Sequence, residues 1–512
     1  MTIDPTLPRP ASLVSSLQSA VAAHPERIAL VCGDAQLSYL EMERVVAGLA
    51  DKLISMGAAG KRVTVIMPNS IEMAVAIMAS LAARAEVAPI NPFLTHDEMA
   101  PLIAACRPQI IVTDTTVEEK VRVLAAEKHI PHTLAFEPLS LSFDAWRQNS
   151  SLSLRPEHLP NTDDPALLIF TGGTTGIPKG VEHTHRALIV SLLLHCTTWP
   201  LEFGEETFLN VAPMFHVWGL TYATWIPMYT HGTLIMVPKY EPDKVLEALD
   251  EHRVTVFAGG PAPIYMGLLD SPLMDSADFS NLKYCISGGA PVPEELYRDW
   301  LAMTGCAISE GYGMSEGAPI CNNHIGLPVK TYSVGRPVPE TDVQIVDLDT
   351  GTAVKNVGEP GEIRLRGAQF TRGYLDNPEE TALLIRDGWL YTGDIGYLDA
   401  DGYLFLVDRK KEMIIVGGYN VYPRQVDEVL FAHDKIAEAA TVGRRDNKLG
   451  EVLVAFVMVK NGEHMDKREF FTYCETKMVK YKRPVEVTFV NSLPRTGARK
   501  IDKKLLRARA EK

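Results

Sequence analysis

"YLEMERVVAGLADKLISMGAAGKRVTVIMPNSIEMAVAIMASLAARA", residues 39–85, decides the fold class. Over 39–57 the apolar residues recur at helical spacing, and the run stops at a glycine. "RVTVIM" (62–67) reads as a buried strand, residues 71–85 as a second helix, and "QIIVTD" (109–114) as a second strand. Helices alternating with strands build α/β layers around a mostly parallel sheet.

The texture changes between about 330 and 408. "SVGRPVPETDVQIVDLDTGTAVKNVGEPGEIRLRG" (333–367) is rich in Gly, Pro and Asp with short alternating runs, the pattern of a β-meander or small barrel. After it, helical ("YPRQVDEVLFAH", 422–433; "REFFTYCETKM", 468–478) and strand patterns mix, as in a small α+β domain. The expected organisation is therefore a large domain over 1–408, made of layered α/β subdomains plus a small β-rich subdomain. A small α+β domain over 409–512 follows, with the boundary near Asp408-Arg409-Lys410-Lys411.

At 512 residues the chain exceeds one compact core. Its net charge of −14 argues against nucleic acid as a partner. Seven scattered cysteines without a C-x-x-C pair suggest reduced thiols and a cytoplasmic setting. The N-terminus lacks a secretory signal pattern, and no apolar stretch reaches about 18 residues. "ALIVSLLLHC" (187–196) is short enough to be a core helix. Peripheral membrane contact stays open, as does the choice between monomer and homodimer.

"TGGTTGIPKG" (171–180) follows the apolar run "ALLIF" (166–170). A glycine-rich loop after a strand lets backbone N–H groups approach an anion, and Lys179 adds a positive charge. It is not the P-loop G-x-x-x-x-G-K-[ST]. Counting from Gly173, Pro178 replaces the second glycine and Gly180 the hydroxyl residue. By itself it reads as a phosphate cradle or as a flexible surface loop.

Further unusual stretches are "SGGAPVP" (287–293), "EGYGMSEGAP" (310–319), "DGWLYTGDIGYLDADGY" (387–403), "VDRKKEMIIVGGYNVYP" (407–423) and "LPRTGARKIDKKLLR" (493–507). In this order and spacing they resemble the adenylate-forming superfamily of acyl-CoA synthetases, peptide-synthetase adenylation domains and luciferases. The likeness covers nearly the whole chain and is strongest to fatty acyl-CoA synthetases.

The resemblance implies a carboxylic acid–CoA ligase that uses ATP and CoA as co-substrates with Mg²⁺. It implies that Thr171, Gly172, Gly173, Thr174, Thr175, Gly176 and Lys179 hold the β- and γ-phosphates. Gly172 stands where many relatives have serine. Gly289, Ala290 and Pro291 would line the adenine pocket with Glu310, Gly311, Tyr312, Gly313 and Met314, Tyr312 stacking on the base. Ser315, threonine in most relatives, would donate to the α-phosphate, and Glu316 would bind Mg²⁺. Asp394 and Arg409 would hold the ribose. His216, Val217, Trp218, Gly260 and Gly288 would border the acyl pocket, and Gly417, Gly418 and Tyr419 the pantetheine channel. Lys411 matches a hinge, making the C-terminal domain mobile. Lys500 would steer carboxylate and α-phosphate together, although Arg499 precedes it where the family has glycine.

Such an enzyme activates the acid as an acyl-adenylate and then lets a thiol displace AMP. The expected acid is a medium- or long-chain fatty acid, with an aryl acid as the alternative. The other readings are loading of a carrier-protein thiol, a light-emitting oxygenase and a binding protein with a dead site.

Overall fold

The computed structural model describes residues 2–136, 141–171, 178–289, 292–495 and 501–511. Of the site residues expected above, Gly172, Gly173, Thr174, Thr175, Gly176, Ala290, Pro291 and Lys500 lie outside them. The chain divides into two compact units, Met1–Asp342 with Arg366–Leu390, and Val343–Leu365 with Tyr391–Lys512.

In the first unit the opening helix spans Tyr39–Ser55. Ser38 and Glu41 form a capping box, each side chain bonding the other's backbone N–H. The next helix, Ile71–Ala82, is started by Ser70 and is buried at all twelve positions. A helix with no polar face must be covered all round. It packs on the strands Arg62–Ile66 and Glu86–Pro89 of one sheet and on Ile28–Cys32 of another.

The first of these sheets has six strands, in the order His132–Phe136, Ile110–Asp114, Arg62–Ile66, Glu86–Pro89, Pro165–Thr171 and Lys179–Thr184. All pairs are parallel except the last, a hairpin whose final pair is Thr171 with Lys179.

The second sheet has nine strands. Six are parallel neighbours, in the order Ile308–Met314, Tyr284–Gly288, Val256–Gly260, Thr207–Asn210, Thr233–Met236 and Ile28–Cys32. From Thr207–Asn210 the chain goes to one neighbour and then crosses to the other side. Open α/β sheets bind ligands at the carboxyl ends of strands beside such a reversal.

The second unit holds most of a small sheet that includes Gly361–Arg366, Trp389–Leu398 and Leu404–Arg409, the last two paired antiparallel. It also holds a five-stranded sheet built on the long hairpin Ile436–Asp446 with Gly450–Val459, covered by the helices Pro423–Phe431, Lys467–Lys477 and Lys503–Ala510. The compact unit thus starts well before Arg409, because the small β region packs with the last hundred residues. Lys411 lies inside it, in the 3-10 turn Lys410–Glu412, and its carbonyl accepts a bond from Arg507 Nη1 at 3.4 Å.

Candidate active site

Four sequence stretches from different parts of the chain meet at one edge of the nine-stranded sheet. His216 follows the strand ending at Asn210. Gly260 and Gly288 end their strands, and Glu310 to Met314 complete the outermost parallel one. Register pairs Ser287 with Glu310 and Gly288 with Gly311. Spatial proximity of these residues follows from parallel pairing, which aligns carboxyl ends.

His216 caps a short helix, Val217–Leu220, its Nδ1 accepting from the Trp218 N–H at 3.4 Å. The helix continues through a π turn, Thr221–Trp225, into Ile226–Tyr229. Pro227 lacks an N–H and cannot complete the regular ladder there, which accounts for the irregular turn. Gly219 allows the turn to close: a Cβ there would sit 2.0 Å from the Pro213 carbonyl oxygen.

The Trp218 indole lies across the strand ends. Its Cζ3 is 2.6 Å from where a Cβ on Gly288 would be, and its Nε1 is 3.7 Å from that point on Gly260. Its ring centroid is 4.6 Å from that of Tyr222. The indole N–H is buried and has no acceptor among the described residues. Aromatic and glycine faces therefore meet at these strand ends.

Ser315 and Glu316 form the two-residue turn between Ile308–Met314 and Gly317–Asn322. The turn is pinned from the other sheet. His183 Nε2 donates to the Ser315 carbonyl at 2.7 Å, which requires that nitrogen to carry the proton. Burial pushes the His183 pKa down, partly opposed by the bond to the Ser315 carbonyl, which favours the neutral ring. Thr371 N–H donates to the Glu316 carbonyl at 2.7 Å, and Thr371 Oγ1 to the Glu182 carbonyl at 2.6 Å.

Glu316 itself is 7 % exposed, and its Oε1 accepts from the Tyr374 hydroxyl at 2.6 Å. Burial, and then the Glu316 charge, push the Tyr374 phenol up, so it remains a donor. Lys179 Nζ lies 5.1 Å from the centre of the Tyr374 ring and 2.6 Å from Glu380 Oε2. The amine and Glu316 are thus brought to two ends of one tyrosine. Mg²⁺ carried on a nucleotide needs only one or two protein carboxylates, and Glu316 fits that demand.

Tyr312 is largely buried, and Gly289 takes φ +78°, a conformation glycine adopts without strain. In the second unit Asp394 and Arg409 are paired across a hairpin, Oδ1 to Nε 3.0 Å, so the two residues expected at the ribose are neighbours. Gly417 and Gly418 make the two-residue turn between Ile414–Val416 and Tyr419–Val421. Both have positive φ, as the tight hairpin turn with two left-handed residues requires. Tyr419 is exposed and stacks on Tyr481 at 4.5 Å. Among the described residues, Tyr374, Glu380 and His183 are the site neighbours that sequence reading passed over. They lie 58, 201 and 132 positions from the partners they contact. The only signal was "GYLDNPEE" (373–380), a tyrosine and three acids after a glycine.

The AMP-binding enzyme family matches residues 17–375, and the AMP-binding enzyme C-terminal domain matches 425–500.

The chain belongs to the AMP-binding enzyme family.

It is 32 % identical over 523 residues to a long-chain-fatty-acid–CoA ligase of Bacillus subtilis, covering 96 % of this chain and 93 % of the relative. It is 34 % identical over 484 residues to 4-coumarate–CoA ligase 5 of Oryza sativa subsp. japonica, covering 92 % and 89 %. ATP-bound MatB of Rhodopseudomonas palustris superposes with TM-score 0.90 at 28 % identity, covering 98 % of this chain and 99 % of that one. This AMP-binding enzyme is an AMP-forming acid–CoA ligase with the adenylate-forming fold, and ATP and CoA are its co-substrates, used with Mg²⁺. Among the described residues no helix is long and apolar enough to cross a membrane.

Proposed function

We propose that this acid–CoA ligase activates a medium- or long-chain fatty acid. The apolar and aromatic wall of Trp218, Tyr222 and Gly288 carries the reading, together with the fatty-acid ligase relative. Lys179 and the loop 171–176 hold the leaving phosphates, Ser315 the α-phosphate, and Tyr312 with Gly289 the adenine. Asp394 and Arg409 hold the ribose. Glu316 is the carboxylate that would bind Mg²⁺, which when bound spreads charge on the phosphates. Lys500 draws the two anions of the first step together. His216, on its capped turn, shapes the thiol's approach. Support for the roles of Tyr312 and Ser315 is their place at the carboxyl end of a parallel strand, and for those of Lys179 and Glu316 the contacts of both with Tyr374.

Residues 409–512 act as a domain that turns at Lys411 to bring Gly417, Gly418 and Tyr419 to the thiol. The protein works in the cytoplasm, which its seven unpaired cysteines support. Its chain acts as a monomer or homodimer, with peripheral membrane contact where the acid is lipid-borne.

A second reading, an aryl acid, is favoured by one observation. The unpaired Trp218 N–H beside Gly260 would suit a substrate carrying an acceptor, and a buried unpaired donor is costly. Pyrophosphate release across straight-chain acids and hydroxylated aryl acids separates the readings. A kcat/KM that rises with chain length supports the first; preference for ring acids refutes it.

A further inference from the structure

Lys179 is already occupied. Its amine bonds Glu380 Oε2 at 2.6 Å and faces the Tyr374 ring, with both charged side chains partly buried (21 % and 31 % exposed). Neither partner is loosely placed. Lys179 begins the hairpin strand Lys179–Thr184, and Leu375 N–H donates to the Gly180 carbonyl at 2.8 Å beside it. Glu380 sits in the first turn of the helix Pro378–Leu384, its N–H capped by Asn377 Oδ1 at 3.1 Å, where a carboxylate is favoured. The arrangement leaves a carboxylate where a phosphate would need to be.

We infer that Glu380 is a built-in counter-ion that competes with the leaving phosphates for Lys179, so nucleotide binding and pyrophosphate release proceed by exchange at that amine. The inference rests on the proposed phosphate role of Lys179. A phosphate reaching the amine with Glu380 still in place would set two anions within a few ångströms of each other. Their repulsion favours swinging one away, and only the carboxylate has a tethered alternative in solvent. After pyrophosphate leaves, Glu380 returns, discharging the lysine and shortening the time that product stays bound. In this scheme Tyr374 is a positioning residue that keeps the amine over its ring while the anion changes.

The test is titration calorimetry of the full-length chain with inorganic pyrophosphate, with and without Mg²⁺, on wild type, Glu380→Gln and Lys179→Ala. Exposed or half-exposed ion pairs contribute up to about 1 kcal/mol, so releasing Lys179 should tighten pyrophosphate binding about fivefold in Glu380→Gln. Lys179→Ala should weaken it tenfold or more. Unchanged binding in Lys179→Ala would refute the phosphate role itself. Weakened binding there, with unchanged or weaker binding in Glu380→Gln, would keep the phosphate role and overturn the exchange, because a residue that merely orients Lys179 can only lose affinity. A wild-type crystal soaked in pyrophosphate gives a second measure independent of any variant's folding. The Lys179 to Glu380 distance should open beyond 4 Å, and an intact ion pair alongside bound pyrophosphate overturns the proposal.

Discussion

Replacing Gly288 by alanine tests the packing that shapes the acyl wall. The added Cβ would meet Trp218 Cζ3 at 2.6 Å, Gly311 O at 2.8 Å and Trp218 Cη2 at 3.0 Å. The carbonyl cannot retreat, because its strand is paired with that of Gly288 in parallel register. The indole must therefore move, and in the proposed pocket it moves outward into the space assigned to the acid. Overpacking of this kind ordinarily costs about 1–3 kcal/mol of stability. Each methylene that the displaced ring excludes should cost about 0.8 kcal/mol in binding, or about fourfold in kcat/KM. Gly288→Ala should thus melt at lower urea and shift the acid preference to shorter chains, the loss growing with length. Adding Trp218→Ala should restore the longer acids, while only part of the stability returns, since the clash with Gly311 O persists. The assays are pyrophosphate release over a homologous series of acids and urea denaturation of each variant. A Gly288→Ala protein with the wild-type length profile would refute the placement of Trp218 in the acid's path.

Three further outcomes are expected, two from the roles proposed for Lys500 and Lys411 and one from the burial of two histidines. Lys500→Ala should cripple formation of acyl-adenylate from ATP yet spare conversion of supplied acyl-adenylate to thioester; single-turnover measurement of each half-reaction checks it, and equal losses would remove Lys500 from the first step. Lys411→Pro should slow the thiol step far more than adenylation, because proline fixes φ where the chain must turn; a wild-type rate of thioester formation from supplied adenylate would exclude Lys411 as the pivot. His195 is buried and pushed down to about 3 by lost hydration, and His185 to about 4 by the same cause, partly opposed by Asp164. Both stay neutral in the fold at pH 5 while the unfolded chain protonates near its ordinary value, so stability is complete above about pH 6.5 and falls as pH is lowered, by about 2 kcal/mol per histidine at pH 5. His195→Gln should remove about one proton's worth of that slope in urea titrations run between pH 5 and 7; an unchanged slope would contradict the burial of a neutral ring.

Local sequence determines much of this protein. The helices Tyr39–Ser55 and Ile71–Ala82 start at Ser38 and Ser70, whose side chains close the first turn using partners three residues away. The Gly417-Gly418 turn is legible for the same reason: only residues at ease with positive φ can make it. Motifs spaced along the chain were enough to indicate the family, because each is a short segment that carries its own backbone demands.

Tertiary structure decided what stands beside what. Parallel pairing brings Gly260, Gly288 and Glu310–Ser315 to one sheet edge, although crossovers separate them along the chain. Tyr374 and Glu380 reach Glu316 and Lys179 across 58 and 201 residues, and no local period or spacing encodes such a meeting. The extent of the second compact unit was likewise not readable near Arg409, since the small β region packs with the last hundred residues through long-range contacts. Backbone preferences act over a few residues, whereas charge pairing and burial act through space, and the counter-ion of Lys179 is set only by the second.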